Sequence, residues 1–239
     1  MGTRTYRTVL IGRGNVASHL GDAFERAGHE VIRVGGRTRA VPIPRDADLY
    51  VIAVTDSAIP TVAEEIGDVQ GLVVHTAGSV AMSVLPQRNR GVLYPLQTFT
   101  KGRPIDMRSV PLFIECEGAM PLLREVASQL SEHITEMDSQ RRRYLHLAAV
   151  FCCNFTNHLY RITESMLSAH DIPFSVMLPL IDETAQKVHT LSPAQAQTGP
   201  AVRWNEEVML AQMNLLERDD LKQLYQLISE SIHRDKLQP

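Results

Sequence analysis

A strand-like run at residues 6–11, YRTVLI, passes without interruption into Gly12, Arg13, Gly14, Asn15 and Val16, and a helical pattern follows. A glycine turn joining a strand to a helix is how a dinucleotide-binding βαβ unit begins. Gly12 would make the tight turn, Gly14 would let backbone approach a pyrophosphate, and Ala17 is the small residue needed where helix crosses strand. The first helical positions, Asn15 and Val16, would then offer amides to the phosphates.

The second strand is expected at residues 30–34, EVIRV, and an NAD enzyme would place an acid just beyond it for the ribose 2′-hydroxyl. This chain has Gly35, Gly36, Arg37, Thr38 and Arg39 instead. A carboxylate there would repel a 2′-phosphate, whereas two guanidinium forks and a hydroxyl suit one. NADP is therefore the expected cofactor, and a solvated basic loop is the alternative.

Strands and helices continue to alternate. Residues 48–54 read as a buried strand ending at Val54, and a polar turn through Thr55 and Asp56 leads into a helix reaching about residue 66. Another strand, 71–75, ends at Thr76, Ala77, Gly78 and Ser79, and residues 91–94 and 110–114 are again β-prone. This order implies a parallel doubly wound sheet. From about residue 139 glycine becomes scarce, and 3.6-residue patterns predict helices over 139–168, 173–190, 204–216 and 219–234. The expected fold is α/β, a Rossmann-like doubly wound sheet over residues 1–138 followed by an all-helical domain over 139–239.

Composition narrows the function classes. A chain of 239 residues, 44% hydrophobic with net charge −3, has no basic excess that would suggest nucleic acid. The triplet Arg141, Arg142 and Arg143 lacks interleaved aromatic residues and reads as a solvated helix face. No apolar run approaches the ~20 residues of a membrane helix, and no export signal is visible. Three cysteines argue against a disulfide framework and for a reducing, cytoplasmic setting, with Cys152 and Cys153 expected to be buried and inert. No phosphate loop of the GxxxxGK[ST] type, nucleophile elbow, HExxH or paired CxxC is present, and no metal is called for.

Several segments together carry a resemblance: the Gly12 turn, residues 75–79 (HTAGS), 94–99 (YPLQTF), 148–155 (AAVFCCNF) and 197–203 (QTGPAVR). The chain resembles a bacterial family that pairs a Rossmann-like domain with a helical domain of unknown function and is grouped with NADP oxidoreductases. Its wider relatives would be the 6-phosphogluconate dehydrogenase-like superfamily, with pyrroline-5-carboxylate reductase, prephenate dehydrogenase and the deazaflavin-dependent NADP reductases. The resemblance implies a fold, a cofactor class and a homodimer through the helical domain, but no substrate.

Candidate site residues follow from where ligands bind in open sheets, beyond the carboxyl ends of the strands. Val54, Thr55 and Asp56 would pass beneath the cofactor, Asp56 otherwise serving as a helix cap. Ala77 and Gly78 would let backbone come close to it. His75 is either a core histidine or part of the site. Ser79, Tyr94 and Gln97 are placed beside the substrate, and Tyr94 stands where prephenate dehydrogenase resemblance would put a histidine. Hydride transfer to a carbonyl or imine leaves an oxygen or nitrogen that must gain a proton, so His146 is the candidate acid, with Asn154 orienting the substrate. Thr198 and Arg203 belong to a polar loop opening a helix, which either holds a substrate carboxylate or is an ordinary capped start. The expected activity is NADP-dependent oxidation or reduction of a small molecule; a dinucleotide-binding sensor without catalysis is the second reading.

Overall fold

The computed structural model describes residues 4–35 and 42–237. Strands β1 (Arg7–Ile11), β2 (Glu30–Val34), β3 (Leu49–Ile52) and β4 (Leu72–His75) alternate with helices α1 (Asn15–Arg26) and α2 (Ile59–Ile66). Then come β5 (Arg90–Pro95), β6 (Leu112–Glu117), α3 (Met120–Leu130) and β7 (Ile134–Glu136). The sheet order among the described residues is β2-β1-β3-β4-β5-β6-β7. Strands β3 and β4 read LYVI and LVVH, and every residue in them is buried because helices cover both faces. Leu10, Leu49 and Val51 pack toward α1 and α3, whereas Val9, Ile11, Tyr50 and Ile52 pack toward α2. That split follows from the two-residue alternation of strand side chains.

Register places the chemistry. Val34 pairs with Ile11, Ile11 with Ile52 and Ile52 with His75, so the ends of β2, β1, β3 and β4 lie level, while β5 pairs His75 with Val92 and runs on to Pro95. Chain order reverses between β1 and β3, which makes their ends the switch point where open α/β sheets bind ligands.

The sheet is not wholly parallel. Strand β6 runs antiparallel to β5, because the connection between them holds only a short 3-10 turn, Met107–Ser109, and no crossover helix. Strand β7 is parallel to β6, joined to it through α3, whose Leu123, Val126, Ala127 and Leu130 form a buried stripe at helical spacing.

The helical half begins with α4 (Ser139–Ala149), started by Asp138, whose carboxylate accepts the Arg141 amide at 2.8 Å. The helix predicted over 139–168 is interrupted by a π-helical stretch, Val150–Phe155, before α5 (Thr156–Ser168). Compact packing divides the chain into Met1–Tyr160 and Arg161–Pro239, so α4 packs with the α/β unit although composition changes at 139. Cys152 and Cys153 are exposed rather than buried, on a stretch whose Phe151 and Phe155 are exposed as well. The second unit contains α6 (Leu178–Lys187), α7 (Pro193–Ala196), α8 (Pro200–Arg203), α9 (Glu206–Asn214) and α10 (Asp219–Leu237). The helix predicted from 173 starts as a 3-10 turn, Phe174–Met177, and becomes α-helical at Leu178, with Pro179 in its first turn where the missing N–H costs nothing. Within this unit the Trp204 and His233 rings lie tilted against each other with centroids 4.6 Å apart, and the Tyr225 hydroxyl donates to Gln212 at 2.6 Å. No helix among the described residues is long and apolar enough to cross a membrane.

Candidate active site

A cavity of about 800 Å³ opens at the switch point. Its floor is the glycine turn. Gly12 has φ +142, and a β-carbon there would lie 2.1 Å from the Ala53 carbonyl oxygen, so only glycine lets β1 turn this closely past the end of β3. A β-carbon on Gly14 would meet nothing within 4 Å, which leaves open space directly over the start of α1. Gly14 is also the N-cap and has no side chain to satisfy the first amides, and the first turn carries no acid. This end of α1 is therefore suited to an anion. Buried Ala17 touches the turn from inside the helix.

Of the residues expected to hold a cofactor, Gly12, Gly14, Asn15, Val16, Val54 and Thr55 line this cavity, as do Asp56, Ala77 and Gly78. Gly36, Arg37, Thr38 and Arg39 lie outside the described residues. The structure adds Arg13, which sequence reading passed over: it lines the cavity, and its guanidinium lies across bare Gly35 at the end of β2, where a β-carbon would be 1.9 Å from Nε. The signal was available in Gly35 itself, a residue without a side chain at the end of β2 that leaves room for a long neighbour. Phe99 was missed too. It lines the cavity because the segment after β5 is tied back to α1: Asn15 Nδ2 donates to the Phe99 carbonyl at 2.8 Å, and the His19 ring leans tilted against the Phe99 ring with centroids 4.8 Å apart.

At the far end, Tyr94, Gln97 and His146 line the same cavity. The Tyr94 hydroxyl and His146 Nδ1 are hydrogen-bonded at 3.1 Å. Gly78 makes this possible, since a β-carbon there would fall 2.7 Å from His146 Nδ1 and 2.8 Å from Tyr94 Cζ. Ser79 lies outside the cavity lining, and its hydroxyl donates to the Asp56 carboxylate. Asn154 is exposed in the π-helical stretch and does not line the cavity. Thr198 and Arg203 belong to the second unit, in the loop before α8 and at its end, both exposed.

Beneath the site lies a buried polar network. Arg142, expected on a solvated face, is fully buried while Arg141 and Arg143 are exposed. Its guanidinium pairs with Glu115 of β6 and donates to the Val80 carbonyl at 2.5 Å and to Ser139 Oγ at 3.2 Å. Ser139 in turn donates to Glu115 at 2.7 Å and accepts the Met82 amide at 2.9 Å. His75 is buried beside this network. Burial, followed by the Arg142 cation, lowers its pKa to about 4, so it is a neutral core histidine whose Nδ1 accepts the Ala77 amide at 3.2 Å.

A level row of strand ends, a glycine turn opening a helix and a cavity above both define a Rossmann-like α/β protein with its ligand space at the switch point. Within that class the chain belongs to the DUF2520 family, a domain of unknown function, which matches residues 110–232. It is 39% identical to a candidate NADP oxidoreductase of Bacteroides fragilis, with 96% of this chain and 98% of that one aligned at a TM-score of 0.88. A protein of Thermotoga maritima shares 17% identity over 96% and 97% of the two chains, TM-score 0.74. The pyrroline carboxylate reductase of Plasmodium falciparum, solved with NADP bound, shares 13% over 97% of both, TM-score 0.56. At such identities the last two show the fold alone. No curated protein matches the chain significantly.

Proposed function

We propose that this protein is an NADP-dependent oxidoreductase acting on a small carbonyl or imine compound, or on the corresponding alcohol or amine. The observation that carries this reading is a single cavity joining the anion-suited start of α1 to a pair of proton-bearing rings, Tyr94 and His146. Its Bacteroides fragilis relative, described as a candidate NADP oxidoreductase, supports the same activity. The amides of Asn15 and Val16 would bind phosphate, Thr55 and Asp56 would border the ribose, and Ala77 and Gly78 would leave room beside the nicotinamide. Arg13, with Arg37 and Arg39, would face a 2′-phosphate. When bound, such a cofactor supplies or accepts a hydride. Gln97 and Tyr94, which line the cavity, would border the substrate.

Titrating NADPH and NADH against the protein by fluorescence tests the cofactor. NADPH should bind at least about tenfold more tightly, about 1.4 kcal/mol, and the preference should shrink in Arg13→Ala and Arg37→Ala. Equal affinities would remove the 2′-phosphate argument, and NADPH binding without turnover across a metabolite panel would favour a sensor.

The chain is proposed to pair with a second copy through its helices. Tyr144, Leu147, Phe151 and Phe155 leave large apolar surface exposed on one chain. A single-chain mass in light scattering at micromolar concentration would rule the pairing out.

A further inference from the structure

We propose that Tyr94 is the residue that gives the proton to the substrate, and that His146 is the relay that restores it. This rests on the oxidoreductase reading above. Both rings line the cavity, they are joined at 3.1 Å, and they meet edge to face with centroids 5.9 Å apart. Tyr94 is nearly buried at the end of β5, whereas His146 is partly exposed. A donor shielded from water next to a ring that water can reach is the arrangement a proton relay needs.

Burial pushes the Tyr94 phenol above its ordinary pKa, opposed by the Arg142 cation, so the hydroxyl keeps its proton at neutral pH. The charged and titratable groups around it are Arg142, itself paired with Glu115, and Cys153. Arg142 stands one helical turn before His146, so the network that fixes α4 against Val80 and Glu115 also fixes the imidazole.

In the reductive direction a hydride from the reduced nicotinamide forms a C–H bond at the carbonyl carbon. The π pair moves to oxygen, which takes the Tyr94 proton. The phenolate accepts the His146 Nδ1 proton as Nε2 of the same ring takes one from water. One hydride and one solvent proton are consumed for each carbonyl reduced.

The ring pair is tested first in the protein without cofactor. With ¹⁵N-labelled histidine, Tyr94→Phe should shift the His146 Nδ1 resonance, and Gly78→Ala, which forces the rings apart, should shift it in the same sense. An Nδ1 signal that ignores both changes overturns the relay. Kinetics then separate proton delivery from positioning. Cyclopentanone needs hydride and proton, whereas N-methyl-1-pyrrolinium, a ring of similar size that is already cationic, needs hydride alone. With NADPH, Tyr94→Phe should slow cyclopentanone reduction about 100-fold more than it slows iminium reduction. Equal losses on both probes overturn the donor role. Fluorescence titration of the same variant should show unchanged NADPH affinity. Failure of the unsubstituted protein to bind NADPH would overturn the oxidoreductase reading and the donor role together, while the Nδ1 shift would still report the ring pair.

Discussion

Gly12→Ala should remove about 3–5 kcal/mol of stability, a large part of what a domain of this size holds. Two separate costs act there. The backbone sits at φ +142, where an alanine is strained, and the new methyl would lie 2.1 Å from the Ala53 carbonyl oxygen. Neither side can yield cheaply, because the Gly12 amide is bonded to Val34 at 3.0 Å and the Ala53 amide to Ile11 at 2.8 Å, so both segments are fixed within the sheet. Gly14→Ala provides the contrast. That position has φ −76 and open space around its missing β-carbon, so stability should stay within about 0.5 kcal/mol while NADPH affinity falls. Urea midpoints and fluorescence titration on both variants check the pair. A Gly12→Ala protein as stable as the parent would mean that the turn is not packed as described.

How far the sequence discloses this molecule depends on which physical term decides each feature. Strands β1, β3 and β4 are legible because burial on both faces leaves continuous apolar runs, and the glycine turn is legible because its backbone demands that residue type. The direction of β6 is not legible. Its residues LFIECE suit either orientation, and only the absence of a helix in residues 96–111 decides between them. Helix α3 had a readable stripe at Leu123, Val126, Ala127 and Leu130, hidden by its place among short strands.

At the site, residues tied to the strand ends were readable, since Thr55, Gly78 and Tyr94 follow apolar runs directly. Residues placed by long-range contacts were not. Phe99 enters the cavity through its carbonyl bond to Asn15, 84 positions away in sequence. Arg142 and its two neighbours are chemically identical, and only the presence of Glu115 on β6 decides which of the three is buried. Cys152 and Cys153 are exposed against expectation because an apolar helical pattern alone does not fix which face packs inside its own chain.

Arg142→Met should destabilise the protein by about 3–5 kcal/mol, because the change strands the Glu115 carboxylate against a guanidinium that is no longer there. The side chains are 1% and 17% exposed, so water replaces little of what is lost. The Val80 carbonyl also loses its donor. Combining Arg142→Met with Glu115→Gln removes the uncompensated charge and should recover a good part of that loss, as is usual when both members of a buried pair are replaced. His75 supplies a pH signature for the same network. Its folded pKa of about 4 lies below the ordinary histidine value of about 6.5, so the unfolded chain binds a proton that the folded chain refuses between those limits. Stability is therefore complete above about pH 6.5 and falls by roughly 3 kcal/mol as pH drops toward 4. Burial is the larger cause and the Arg142 cation the second, so Arg142→Met should reduce this slope without abolishing it. Chemical denaturation at several pH values for the parent, the single and the double variant measures both effects. A single variant as stable as the parent, with an unchanged acid slope, would show that Arg142 does not hold α4 to the sheet.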